Sequence, residues 1–370
     1  MSTEKTAEPR QPKYLRIVES LRQAILAGNY RNGARLPSEA ELVRRFGVSR
    51  MTAVRAMQQL QQEGLLVRRT GSGTYATEAT GLRKPVFGLI IPDLGQTEIF
   101  EPICKGMTGS PNADGYSLSW GHAATPGASK EDEALHLCQQ YIAQRVSGVF
   151  FAPLEFGPRR DQINKSVLKT LRAAHIPVVL LDRCVLDFPA RSDYDLVGLD
   201  NRRAGFIMTD HLIRQGAKRV AFFAVEGSAE TVEDRIVGYR EALYHHGLTV
   251  NKDLVLRGDP SDSVAVSSAL KELRMDAVLC ANDNTAAQLM RTLQGLAVRI
   301  PEDVRVAGID DVRYAELLSV PLTTLHQPCF DIGAVAVATM LDRIANPHLP
   351  ARSILLSGTL VVRRSCGAKL

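Results

Sequence analysis

The sequence predicts a mixed α/β protein in two parts: a small helical head closed by a β-hairpin, and a large domain in which parallel strands alternate with helices. Three observations carry that reading. Charge is unevenly divided: the first 80 residues hold 13 Lys and Arg against 7 Glu and no Asp, a balance of +6, whereas the remaining 290 hold 32 basic and 33 acidic residues, a balance of −1. In the head, apolar residues recur at spacings of three and four, the period of a helix with one buried face. Beyond residue 85, short continuous apolar runs alternate with helical patterns, as buried parallel strands and their crossovers require. A chain of 370 residues has room for two or three domains. The expected division is a head over 1–76, a polar linker over 77–85 and a large domain over 86–370.

Within the head, Leu15, Val18, Leu21, Ile25 and Leu26 share one helical face, and Gly28 ends that helix. Asn32-Gly33 followed by Pro37 is a turn. Ser38 with Glu41 three residues later is a capping box, which opens a second helix with Leu42, Val43 and Phe46 inward and Gly47 at its end. Ser49 caps a third helix whose buried stripe is Val54, Met57 and Leu60, and Gly64 stops it. Leu65 to Val67 and Thr74 to Ala76 then flank the basic, glycine-rich tip Arg68-Arg69-Thr70-Gly71-Ser72-Gly73, the pattern of a hairpin. Two helices joined by a tight turn and followed by a hairpin make a winged helix-turn-helix. Arg50, Met51, Thr52 and Arg55 cluster at the start of the third helix, off the apolar stripe, where a major-groove reader carries its base contacts. The free N–H groups there also favour phosphate. The bland alternative is a solvated helix face, and the wing argues against it. Gly71-Ser72-Gly73 is a hairpin tip rather than a nucleotide loop, since no Gly-Lys-Ser/Thr follows it.

In the large domain the expected strands are Val86 to Ile91, Tyr116 to Ser119, Gly148 to Ala152, Val178 to Leu181, Leu196 to Leu199, Val220 to Ala224, Asp276 to Cys280 and Val304 to Gly308. Gly109-Ser110-Pro111 interrupts the first crossover, so its helix should be short. Five strands run into an aspartate: Asp93, Asp182, Asp200, Asp283 and Asp310. Ligands of open α/β sheets bind beyond the carboxyl ends of the strands, so these groups can line a cleft. Helix capping is the competing role, and for Asp200 and Asp283 it is the favoured one.

The stretch LPSEAELVRRFGVSRMTAVRAMQQLQQEGLLVRRTGSGTYA resembles the DNA-binding domain of GntR-type bacterial regulators over nearly its whole length. That resemblance implies contact with double-stranded operator DNA by Ser49, Arg50, Met51 and Thr52 and by wing residues Thr70 and Gly71, with Arg55 and Arg68 as basic neighbours. Ala40 stands where many members carry a basic residue, and Val54 where many carry an arginine that Arg55 can replace. Along 86–366, VVLLDR, VGLDNRRAGFIMTDHLIRQGAKRVAFF, EDRIVGYREAL, VLCANDNTAAQLM, PEDVRVAGIDD and PLTTLHQP look like the LacI/GalR effector-binding domain. This second resemblance implies two lobes of periplasmic-binding-protein fold, a homodimer, and a small effector held by Phe100, Asp182, Thr231, Arg235, Asn282, Asp310 and Gln327. A carboxylate beside a guanidinium suits the hydroxyls of a sugar or sugar derivative. Arg235 could instead serve in a structural ion pair. Pro260 occupies a place where members often carry an aromatic that stacks on the ligand.

Other classes fit poorly. No apolar run approaches the length of a membrane span, mean hydropathy is −0.07, and the polar N-terminus lacks secretory-signal features, so a cytoplasmic protein is expected. The six cysteines are widely spaced with no Cys-x-x-Cys pair, the mark of buried free thiols rather than a metal site or disulfide framework. There is no Gly-x-Ser-x-Gly or His-Glu-x-x-His, and the adjacent His245 and His246 are expected at a solvated helix end. No catalysis, cofactor or metal is expected. The reading is a DNA-binding transcriptional repressor controlled by a small polar effector; a regulator with a vestigial cleft and a DNA-tethered enzyme are the alternatives.

Overall fold

The computed structural model describes residues 13–26, 29–30, 33–62, 64–69, 72–76, 84–91, 98–110, 115–121 and 129–369. Gly28, Asn32, Thr70, Gly71, Asp93 and Pro111 lie outside the described residues, as does 77–83 of the linker. The chain forms two compact units, Met1–Lys84 and Pro85–Leu370.

In the first unit, α1 (Lys13–Leu26) and α2 (Glu39–Phe46) surround α3 (Arg50–Gln62). Ile17, Val18, Leu21 and Ile25 of α1 bury against Ala53, Ala56, Met57 and Leu60 of α3. The stripe on α3 is thus wider than its large residues suggest: two alanines let the helices approach, while Val54 is only half-buried. The capping box forms as the sequence predicts, with the Ser38 N–H donating to Glu41 Oε2 at 2.7 Å and the Glu41 N–H to Ser38 Oγ at 3.3 Å. Gly47 closes α2 in the left-handed region at φ 61°, a conformation other residues resist. Strands β1 (Leu66–Arg69) and β2 (Gly73–Ala76) pair antiparallel. The run 33–36 flanks β2 on its other side through Leu36 N–H to Thr74 O at 2.9 Å and Ala76 N–H to Ala34 O at 2.8 Å. Backbone bonds therefore tie the wing to the entry of α2.

The second unit has two lobes. Its first runs β3 (Val86–Ile90), α4 (Phe100–Thr108), β4 (Ser117–Trp120), α5 (Lys130–Gln144), β5 (Gly148–Phe151), α6 (Arg160–Ala173), β6 (Val178–Leu181) and β7 (Asp195–Leu199). The second lobe follows with α7 (Asn201–Arg214), β8 (Val220–Ala224), α8 (Glu230–His245), β9 (Val255–Arg257), α9 (Ser263–Leu273), β10 (Ala277–Cys280), α10 (Asp283–Gly295), β11 (Arg305–Ala307) and β12 (Thr324–His326). The chain then returns through α11 (Cys329–Ala345) and β13 (Ser353–Leu356) to the first lobe, and ends in the second with β14 (Thr359–Val361). A six-stranded parallel sheet, β13-β7-β6-β5-β3-β4, centres the first lobe and a four-stranded parallel sheet, β11-β10-β8-β9, the second.

Each sheet is covered on both faces, which is why its strands read as unbroken apolar runs. Along β5, Val149 and Phe151 enter one core layer and Phe150 the opposite one; along β8, Phe222 and Phe223 divide the same way. Helix α4 is short and stops at Gly109, as the Gly-Ser-Pro interruption predicts. Strands β9, β12, β13 and β14, all of three or four residues, are not among those expected from the sequence. Asp200 caps α7, its carboxylate accepting the Arg203 N–H at 3.0 Å. The expectation that Asp283 caps α10 is corrected: Asn282 does so, accepting the Thr285 N–H at 2.9 Å. Asp283 is fully buried and accepts from Thr324 Oγ1 at 2.6 Å and the Val312 N–H at 3.1 Å.

Both lobes contain a helix pair in backbone contact through reciprocal glycines. A Cβ on Gly238 of α8 would lie 1.8 Å from Arg202 O of α7, and one on Gly205 of α7 would lie 2.0 Å from Arg235 O. Gly106 of α4 and Gly333 of α11 meet Phe330 O and Ile103 O in the same manner. Since a carbonyl cannot yield as a flexible side chain does, Gly238→Ala is expected to destabilise the large unit by about 1–3 kcal/mol or more. Urea unfolding checks this: an unchanged midpoint would show that α7 and α8 can part without cost.

Candidate functional site

In the first unit the start of α3 carries Ser49, Arg50, Met51, Thr52 and Arg55, and β1 carries Arg68, while Thr70 and Gly71 lie outside the described residues. The Ser49 side chain accepts the Thr52 N–H at 3.2 Å, opening the helix as a cap, and its hydroxyl lies 2.8 Å from Thr52 Oγ1. The next two side chains project into solvent, Arg50 at 85% exposure and Met51 at 76%. Arg55 is exposed as well, its guanidinium 4.2 Å above the Tyr14 ring of α1, so one face of that fork is already stacked. Arg68 of β1 pairs with Glu39, whose other carboxylate oxygen is 3.7 Å from Arg50 Nε. Arg35, Arg44, Arg50 and Arg68 surround a hollow of about 860 Å³ with Glu39 in its wall. The sequence reading names neither Arg35, Arg44 nor Glu39, because it follows the third helix and misses that 33–36 joins the wing.

In the second unit a cleft of about 410 Å³ opens between the lobes. The first lobe contributes Glu155 beyond β5, Asp182 and Arg183 beyond β6, and Glu98 and Ile99 ahead of α4. The second contributes Thr231 and Arg235 from α8, Asn282 beyond β10, Asn284 and Gln288 from α10, and Asp310 beyond β11. Five of the seven expected effector residues therefore share one cavity: Asp182, Thr231, Arg235, Asn282 and Asp310. Phe100 does not line it; its ring packs in the first lobe's core beside Ile103 and Met107, and the cleft wall there is Glu98 and Ile99. Gln327 lies in the crossover between β12 and α11, 1% exposed, with neither amide atom bonded among the described residues.

The strand-end aspartates hold unusual backbone. Asp182 has φ 68° and Asp310 φ 127°, a region costly for any residue with a Cβ, and such strain concentrates at functional positions. Arg235 is braced from within its lobe, donating to Asn201 Oδ1 at 2.7 Å and Ala281 O at 2.5 Å, which leaves Nη2 3.8 Å from Asp310 Oδ1. Arg183 donates to Asp182 Oδ2 at 3.0 Å and Glu155 Oε2 at 2.8 Å. Burial drives the Asp310 carboxyl well above the ordinary aspartate range; Arg235 opposes that rise, and Asp283, Asp182 and Glu155 add to it. Glu155 and Arg183 are the functional candidates the sequence reading missed, although Glu155 follows an apolar strand just as the aspartates do.

Among the described residues, three contacts close the cleft rim across the lobes. Arg160 Nη1 donates to Gly227 O at 2.5 Å, the Ala229 N–H lies 3.5 Å from Glu155 Oε1, and the Cys184 N–H donates to Glu230. Elsewhere, His245 is exposed and His246 pairs with Asp210 at 2.7 Å, where α8 ends before Gly247. All six cysteines are free, five of them buried, and no cluster of potential metal ligands occurs among the described residues.

Burial lifts Glu230 from its ordinary 4.5 to about 7, although the Cys184 N–H pulls the other way. The folded chain thus favours protonated Glu230, so this group's contribution to stability is whole below pH 4.5 and is lost as pH rises through about 7. Glu230→Gln stays neutral and keeps an acceptor for Cys184. It is expected to melt with wild type near pH ~5 and above wild type near pH ~8. Equal midpoints at both values would mean that the rim does not desolvate Glu230.

Comparison with known proteins follows the same division. Residues 13–76 match the bacterial regulatory proteins of the gntR family, and residues 209–366 the periplasmic binding protein-like domain. The arabinose metabolism transcriptional repressor of Geobacillus stearothermophilus is 26% identical over 370 residues, covering 97% of this chain and 98% of the relative. The HTH-type transcriptional repressor PurR of Vibrio vulnificus is 34% identical over 194 residues, 51% of this chain and 57% of that protein. Among solved structures, the transcriptional regulator CelR–cellobiose complex superposes with a TM-score of 0.64 at 24% identity, over 86% of this chain and 91% of that one. A LacI family regulator from Enterococcus faecium with bound ribose gives 0.60 at 21%, over 76% and 98%. At these identities the two structures speak for the fold alone. No helix among the described residues is long and apolar enough to cross a membrane. The chain thus joins a winged helix-turn-helix unit that matches the gntR family model over 13–76 to a two-lobed unit that matches the periplasmic binding protein-like domain over 209–366.

Proposed function

We propose that this chain is a cytoplasmic, homodimeric transcriptional repressor whose operator affinity is set by a small polar effector, with residues 1–76 reading DNA, 77–85 as linker and 86–370 binding effector and partner copy. The observation that carries the reading is one chain holding both an exposed basic reading surface and a polar cleft at the carboxyl ends of two parallel sheets. Ser49, Arg50, Met51, Thr52 and Arg68, together with Thr70 and Gly71, form the DNA surface; Arg55 joins it from behind the Tyr14 stack. Dimerisation places two heads on a site with two-fold symmetry.

The effector is a sugar or sugar derivative bound by Asp182, Thr231, Arg235, Asn282 and Asp310. An Asp–Arg pair that is close but not in hydrogen-bond contact can be bridged by the adjacent hydroxyls of a polyol, each taking one donor and one acceptor. One relative named for arabinose metabolism and structures holding cellobiose or ribose support this class. The cavity falls inside the span of small-molecule sites, about 300–1,000 Å³. Phe100 and Gln327 take supporting places, one behind the wall and one in the crossover.

A thermal-shift screen of neutral and acidic sugars supplies the ligand. Calorimetry with that sugar on Asp310→Ala is expected to show a loss of about 1–3 kcal/mol while operator binding persists. Wild-type affinity in the variant would remove Asp310 from the site. Arg50→Ala is expected to cost about 1–3 kcal/mol on operator and less on unrelated duplex. Titrating operator at fixed salt, with and without the sugar, tests the regulation: weaker binding with sugar is the expected sign, and equal binding would leave the cleft uncoupled from DNA.

A further inference from the structure

Glu39 is an acid in the middle of a basic surface. It is the first residue of α2, partly buried, and Arg35, Arg44, Arg50 and Arg68 border the hollow it lines. A carboxylate there repels phosphate, so a DNA-reading face would bind duplex more tightly without it. Its geometry gives it another task. One oxygen takes the Arg68 guanidinium from the wing, and the other lies 3.7 Å from Arg50 Nε at the start of α3. Among the described residues it is the one acid paired with either arginine. The reach is fixed by backbone: β1 pairs with β2, β2 pairs with 33–36, and that run leads through the Ser38 cap directly into Glu39.

We infer that Glu39 is a positioning residue, which aims Arg50 and Arg68 together and so sets sequence selectivity rather than overall affinity for DNA. Isolated pairs this exposed add little to stability. An arginine already held in one direction, however, has less freedom to lose on meeting a base edge, and its planar fork rewards a fixed approach. A single carboxylate bridging helix and wing makes the two contacts interdependent. On a wrong sequence the bridge opposes rearrangement of either side chain toward the nearest phosphate, which is a cost against non-cognate DNA.

The inference rests on the head being a DNA reader, and the experiment separates the two ideas. The full-length chain is used to select binding sites from a pool of randomised duplexes, and the enriched duplex and its scramble are then titrated against wild type, Glu39→Gln, Arg50→Ala and the double variant. Glu39→Gln is expected to bind the scramble a few-fold tighter, having lost a negative charge, and to lose about tenfold in the ratio of enriched to scrambled affinity. In the Arg50→Ala background that loss of ratio should largely vanish, the sign of coupled residues. Glu39→Asp, which keeps the charge, should recover part of the ratio, and melting curves of all variants should coincide. If Glu39→Gln raises both affinities equally, Glu39 only repels phosphate and the inference fails. A full tenfold loss persisting beside Arg50→Ala also overturns it. If wild type enriches no sequence, the DNA reading falls and takes this inference with it.

Discussion

A parallel sheet is stable only when both of its faces are covered, and most of this chain's architecture follows from meeting that demand twice. Each strand needs a helical crossover to return to the same end of its sheet, so every carboxyl end points one way and the helices fill both faces. Two such sheets, joined by short crossovers after β7, β12 and β13, turn those ends toward a shared cleft. The crossovers are tied together by pairing of β12 with β14 and by the Asp200 N–H donating to Leu356 O at 2.8 Å. Polar groups at strand ends need no further device to converge. Asp182 and Asp310 belong to different lobes and lie more than a hundred residues apart in sequence, yet they line one cavity because both follow a buried strand.

Convergence has an electrostatic cost that the cleft only partly offsets. Glu155, Asp182 and Asp310 face two guanidinium groups, and one of these, Arg183, is fully occupied by Asp182 and Glu155. Arg235 spends two donors on Asn201 and the Ala281 carbonyl, which fixes its plane and leaves a third toward Asp310. Of these three carboxylates, Asp310 therefore has the least protein compensation. A group with that deficit gains most from a ligand that supplies donors, since buried acceptors left unmet are costly.

Much of this was legible from residue order. The strands Val178–Leu181 and Val220–Ala224 have the predicted bounds because four or five consecutive apolar residues can only be buried on both faces. Ser38, Gly47 and Ser49 mark their helix ends because capping chemistry is local. What escaped is non-local. Strands β12, β13 and β14 take their meaning from partners more than thirty residues away or in the other lobe, and three or four residues carry no period of their own. Asp283 looks like a cap by position, but Thr324 and Val312 arrive from elsewhere to claim its carboxylate while Asn282 takes the cap. The resemblance puts Phe100 at the cleft, but the helix that begins with it turns its ring toward the core. Glu39 could not stand out, since only the pairing of 33–36 with the wing brings it to Arg68.

The rim contacts indicate how a cleft of this kind can be biased by its occupant. Among the described residues, closure includes a few polar contacts, Arg160 to Gly227, Glu155 to Ala229 and Glu230 to Cys184. One of these carries its own penalty, because burial raises Glu230 to about 7 and near neutral pH part of the population must bury a charge to keep the rim shut. These polar contacts make a weak latch. A ligand can shift the lobes only by the difference in its affinity for their two arrangements. A site divided between lobes maximises that difference, because Asp182 belongs to one wall and Arg235, Asn282 and Asp310 to the other, and no ligand can satisfy all four unless the walls meet. On the proposed reading, the weak rim and the split site are complementary: a rim strong enough to hold the cleft shut by itself would leave an effector nothing to decide.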